Sequence, residues 1–122
     1  MNFDQALSAD AELRSKMLTA LRKKAKVDIG AISADSRCPL GKWLGGEGRA
    51  QFGKLASYRS CVAAHADFHR AAATVAKTVN ANKFNEAEGM LAPGTAFAST
   101  LKAVGTTLSA LRKDAKASGG DA

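Results

Sequence analysis

Apolar residues recur at helical spacing through most of the chain. From Phe3 to about Lys24 they fall at Phe3, Leu7, Leu13, Met17 and Leu21, with alanines between them, which predicts a first long helix. From about Leu55 to Val79 the residues Leu55, Tyr58, Val62, His65, Phe68, His69, Ala72, Val75 and Val79 would form the inward face of a second. A third, from about Thr95 to Lys113, carries Phe97, Leu101, Val104, Leu108 and Leu111 on one face. Shorter helices are expected at Pro39 to Leu44 and at Phe84 to Leu91. Proline suits a first helical position because it has no N–H to leave unpaired. Gly45-Gly46, Asn80-Ala81-Asn82 and Pro93-Gly94 supply the breaks. Residues 25–37, with Asp28, Gly30, Asp35 and Ser36, predict a loop holding at most one short turn, and Glu47 to Gly53 a glycine-flanked stretch with Phe52 plugged into the core. No stretch alternates with period two over strand length. The expected fold class is therefore all-α. It is an antiparallel helical bundle of about four main helices plus a short one at Cys38, forming one domain over residues 1–116 with a flexible tail at 117–122.

Asp10 interrupts this pattern. It sits in the first apolar stripe where the period calls for an apolar side chain, and a lone buried carboxylate is costly. Either the stripe is rotated locally and Asp10 is wet, or a cation lies beside it.

At 122 residues the chain has room for one modest core. Hydrophobic residues make up 46% of it, but only 6% is aromatic and much of the rest is alanine. Small side chains let helices approach closely while burying little each, so a metal cross-link would be a useful supplement. The net charge of +7 admits an anionic partner. Only Arg22 to Lys26 is a dense basic run, and bases near a helix C-terminus also offset its dipole. No apolar run is long enough to cross a bilayer, and the start Met1-Asn2-Phe3-Asp4 lacks the regions of a signal peptide. Two cysteines without an export signal fit a reducing compartment, so a cytoplasmic protein is expected.

His65 and His69, the only histidines, are four apart and project from one helix face a turn from each other. That spacing suits chelation of a transition metal, though such a pair also serves structure. Cys38 precedes Pro39 at the expected N-cap of a short helix, where free N–H groups and the dipole favour thiolate; the alternative is a small buried hydrophobe. Cys61, one turn before His65, is read as ordinary packing.

The run Cys38-Pro39-Leu40-Gly41-Lys42-Trp43-Leu44, followed by His65-Ala66-Asp67-Phe68-His69, closely resembles the chemoreceptor zinc-binding (CZB) domain family. In that family C-x-L-G-x-W supplies a cysteine ligand and H-x-x-x-H two histidines. The resemblance extends over nearly the whole chain, including Phe3-Asp4-Gln5-Ala6-Leu7 and Glu86-Ala87-Glu88-Gly89-Met90-Leu91. One departure stands out. Where the family carries a further histidine, then a tryptophan and a basic residue, this chain has Asp10, Leu13 and Arg14. The resemblance thus implies a Zn2+ site of Asp10, Cys38, His65 and His69, with water in the fourth position or a site that has lost its metal as the competing readings. Leu13, Leu40, Gly41 and Trp43 are expected to support the ligands, Trp43 as a core anchor and Gly41 as a close-packing position.

The function so implied is a bacterial regulatory domain. Zinc occupancy, or oxidation of the Cys38 thiolate, would shift helix packing and be read by a homodimer partner, a chemoreceptor or a diguanylate cyclase. No output domain is recognisable, and the Met1 start fits a stand-alone form. A metallohydrolase is disfavoured because Ala66 stands where the protease motif needs glutamate. A basic nucleic-acid module is disfavoured by the scarcity of aromatics. A structural metallo-bundle without sensing is the remaining alternative.

Overall fold

Three long helices carry the architecture: α1 (Phe3–Lys23), α5 (Ala56–Asn80) and α7 (Ala96–Ala117). Four short ones, α2 (Ile29–Ser33), α3 (Pro39–Gly45), α4 (Glu47–Phe52) and α6 (Phe84–Met90), lie between them. The computed structural model describes residues 3–34 and 38–117, without the side chains at positions 3, 4, 6, 7 and 9–11. The described residues contain no strand, and the molecule is the expected all-α bundle.

The longest interface joins α5 to α7, and α1 packs across both. Alanine allows this closeness: Ala72 and Ala76 of α5 and Ala115 of α7 are fully buried. Phe68 and Phe97 fill the space between the two helices, with ring centroids 5.2 Å apart. Met17, fully buried, is the contribution of α1, with Leu13 and Leu21 half-buried beside it. On α7 the predicted stripe is buried except for half-buried Leu101, and the helix runs four residues past Lys113 to bury Ala115.

The inward face of α5 differs from expectation at one position. Val62 is exposed, whereas Cys61 is fully buried. The buried stripe runs Tyr58, Cys61, His65, Phe68, Ala72, and Val62 lies about 100° around the helix from Cys61, beyond its edge.

Both α1 and α5 end in left-handed caps built without glycine. Lys24 has φ 51°, and the Ala25 N–H reaches back to the Ala20 carbonyl at 2.9 Å. Asn82 has φ 64°, and the Lys83 N–H reaches the Thr78 carbonyl at 3.2 Å. In each case a six-residue closure satisfies carbonyls that would otherwise be orphaned. The break is therefore made at Asn82, and Asn80 is still helical. Its carboxamide pairs with Val27, donating to the carbonyl and accepting from the N–H, each at 2.8 Å.

Two stretches expected as irregular are helical. In α2 the Asp28 carboxylate accepts from the Ala31 N–H at 3.1 Å, an N-cap that starts a single turn too short to show periodicity. In α4 the stretch packs back onto α3. Gly48 lies so close to Trp43 that a Cβ there would sit 2.8 Å from the indole ring and 2.9 Å from the Trp43 carbonyl. Phe52 is buried as expected and meets the Trp43 ring at 6.1 Å.

Candidate metal centre

Cys38 is the N-cap of α3, in extended conformation with Pro39 at the first helical position. Its sulfur accepts from the Gly41 N–H at 3.3 Å, which satisfies one orphan donor of the helix and fixes where Sγ points. The other end of α3 is held by the Tyr58 hydroxyl, which donates to the Leu44 carbonyl. Leu40, fully buried, anchors the helix to the core. Trp43 is half-buried and wedged between Phe52 and Gly48. Gly41 acts through its N–H on the sulfur, and Gly48 packs tightly against Trp43.

His65 and His69 are both buried, at 2% and 4% exposure, so whatever their ring nitrogens face must satisfy them. Nε2 of His65 lies 3.0 Å from Cys38 Sγ and 3.1 Å from Nε2 of His69. On its far side, His69 Nδ1 lies 2.7 Å from the Ile32 carbonyl. A carbonyl only accepts, so Nδ1 carries the proton and Nε2 presents its lone pair to the cluster. Ile32 is half-buried and belongs to α2, so the loop-like segment after α1 sets the tautomer of a candidate ligand.

The thiol is tuned in the same place. Burial pushes Cys38 up, but hydrogen bonds with His65, His69 and the Gly41 N–H, and the His65 charge, outweigh it and hold the pKa at about 7, against an ordinary 9.0. Thiolate, the form that binds metal, is therefore well populated near neutrality.

One atom from each of Cys38, His65 and His69 lies within 4.8 Å of the others. Tetrahedral zinc would separate two imidazole nitrogens by about 3.3 Å and nitrogen from sulfur by about 3.6 Å. At 3.1 Å from His69 Nε2 and 3.0 Å from Cys38 Sγ, His65 Nε2 would have to move apart from each by less than about 1 Å to admit the ion. The donor set fits the ion. Cys61, fully buried, stands outside this group.

The cluster borders a cleft of about 540 Å³ between α1 and α2, walled by Leu13, Lys16, Met17, Val27 and Ile32 together with Cys38 and His69. Asp10 lies on α1, and its side chain is outside the described residues.

A family model described as the chemoreceptor zinc-binding domain matches residues 12–76, more than half of the chain. The chain belongs to that family. The match takes in Cys38 and both histidines of this zinc-binding-domain chain but begins just after Asp10. No curated protein and no solved structure matches it.

Two contributors carry no chemical signature in the sequence. Ile32 acts through its carbonyl, which every residue has; the only pointer was Asp28 standing before Ile29 and Ile32 as a cap before an apolar turn. Asn80 reads from sequence as a helix breaker.

Proposed function

We propose that the chain is a zinc-binding sensory domain in which Asp10, Cys38, His65 and His69 hold one Zn2+. The observation that carries this reading is the convergence of a thiol held near pKa 7 and two buried imidazoles within 4.8 Å, in a member of this family. Asp10 completes the set. It stands three residues before Leu13, one helical turn, and Leu13 lines the cleft beside the cluster. With one thiolate and one carboxylate the centre is formally neutral, which lowers the cost of burying it. When bound, the ion supplies cross-linking rather than catalysis, since four protein ligands leave no open position for a substrate.

The chain's own residues do the rest. Cys38 ties α3, and His65 and His69 tie α5, to one point bordered by α1 and α2. Loss of the ion releases that tie. So does two-electron oxidation, in which the Cys38 thiolate attacks a peroxide, forming an S–O bond as the O–O bond breaks and hydroxide leaves. A changed packing of α5 is the output, read by a second copy of the chain or by a chemoreceptor or diguanylate cyclase in the cytoplasm. Among the described residues no helix is long and apolar enough to cross a membrane.

Zinc titration tests the assignment. Wild-type protein is expected to take up one equivalent. Cys38→Ser and His69→Ala should each weaken binding by more than the roughly 10- to 100-fold typical of losing a ligand's supporting partner. Asp10→His should keep zinc but alter its affinity and pH dependence, because imidazole holds a proton at about pH 6.5 and a carboxylate at about 3.9. Indistinguishable titrations for Asp10→His and wild type would remove Asp10 from the site. Wild-type protein that takes up no zinc would remove the function.

A further inference from the structure

We propose that Asn80 is a positioning residue for the metal centre, acting on His69 through the segment that joins α1 to α2. The inference rests on the cluster being a metal centre, and it concerns a residue beyond the stretch matched to the family, which ends at 76. Asn80 touches none of the ligand atoms described above. Its carboxamide instead grips both polar backbone groups of one residue: the Val27 N–H donates to Oδ1 at 2.8 Å, and Nδ2 donates to the Val27 carbonyl at 2.8 Å. Two hydrogen bonds, to the N–H and the carbonyl of one residue, fix its orientation as well as its place. The residues so joined are 53 apart in the chain.

From Val27 the constraint passes on without slack. The next residue, Asp28, caps α2 through the Ala31 N–H at 3.1 Å, and its carbonyl accepts from the Ile32 N–H at 3.1 Å. The Ile32 carbonyl then accepts from His69 Nδ1 at 2.7 Å. Five residues are far too few for a helix to persist by itself, so α2 depends on its packing against α5 and on what its two ends are fastened to. Both fastenings are on α5: Asn80 holds the start and His69 meets the end. A rigid helix thus braces the strap that orients its own ligand, with the two attachment points three turns, about 16 Å, apart along the axis. Without Asn80 the Ile32 carbonyl loses its fixed position, Nδ1 loses its committed acceptor, and Nε2 is no longer reserved for the cation.

The test compares Asn80→Ala and Asn80→Asp with wild type. The aspartate variant keeps the shape and one acceptor but loses the donor to Val27. Thr78→Ala serves as the control, because that hydroxyl only bonds the Thr74 carbonyl within α5, at 3.0 Å. Three readouts are taken: helix content, the imidazole 15N shifts of His69 in zinc-free protein, and zinc affinity by competition with a chromogenic chelator. Asn80→Ala is expected to stay helical, to show a mixture of His69 tautomers, and to bind zinc about 10- to 100-fold more weakly. Asn80→Asp should move both in the same direction, and Thr78→Ala should move neither. A folded Asn80→Ala with wild-type tautomer and affinity overturns the proposal, as does an equal loss in Thr78→Ala. If the alanine variant does not fold, the aspartate variant decides by the same criteria. Should wild-type protein bind no zinc, the metal reading fails, and the tautomer in zinc-free protein still decides whether Asn80 orients His69.

Discussion

Alkylation of Cys38 in zinc-free protein should titrate with a midpoint of about 7, not at the 9.0 of an ordinary thiol. The size of the effect follows from two opposing trends. At pH 7 about half of the Cys38 side chains are thiolate, against roughly one in a hundred for the ordinary thiol, a ~50-fold larger reactive pool. Nucleophilicity falls with basicity, however, and a Brønsted slope of about 0.4–0.5 makes the less basic thiolate ~6- to 10-fold slower per ion. The pool wins at neutrality, leaving Cys38 about 5- to 8-fold faster than a reference thiol. It loses in alkali, where both are ionised, so the two rate profiles should cross near about pH 8. Stopped-flow reaction with iodoacetamide in chelator, across the neutral and alkaline range, measures both curves. Cys61 is fully buried and should add no fast phase. His65→Ala removes the leading hydrogen bond that lowers the pKa and should move the midpoint upward. A wild-type midpoint near 9, or profiles that never cross, would refute the account of how the site tunes its sulfur.

Three other outcomes follow from the same coordinates. The Cys38 pKa is lower folded than unfolded, so its contribution to stability is complete above about pH 9 and disappears as pH falls through 7; chemical denaturation of zinc-free protein should show stability rising across that window. Gly48→Ala places a methyl 2.9 Å from the Trp43 carbonyl, which cannot swing aside as a side chain would. The variant should lose about 1–3 kcal/mol by denaturant titration. Phe68→Ala empties a fully buried site between Phe97 and His69 and should cost about 3–5 kcal/mol, visible as a large fall in the denaturation midpoint.

The long helices could be read from the chain because each repeats its apolar signal over several turns. Met17, Phe68, Phe97 and Leu111 all lie where periodicity places them. Val62 was misplaced because it continues the stripe as Val but lies one residue off the face that Cys61 occupies. The single turns α2 and α4 give periodicity nothing to count; Asp28 and the glycines mark their edges, and tertiary packing makes them helical. The same division holds in the site. Cys38, His65 and His69 announce themselves by residue type and spacing. The acceptor behind His69 is a main-chain oxygen, and the clamp behind that is an asparagine whose composition-level meaning is "helix end". Such parts become visible only when the chain is folded.

That His69 leans on a carbonyl has a consequence for variation in related chains. Any side chain at position 32 brings the same oxygen, so point mutations there leave the acceptor in place. An insertion or deletion between Val27 and Ile32 would not, because it would carry the oxygen around the turn and away from the ring. This support is thus encoded as a chain length, tolerant of spelling and intolerant of a change in register.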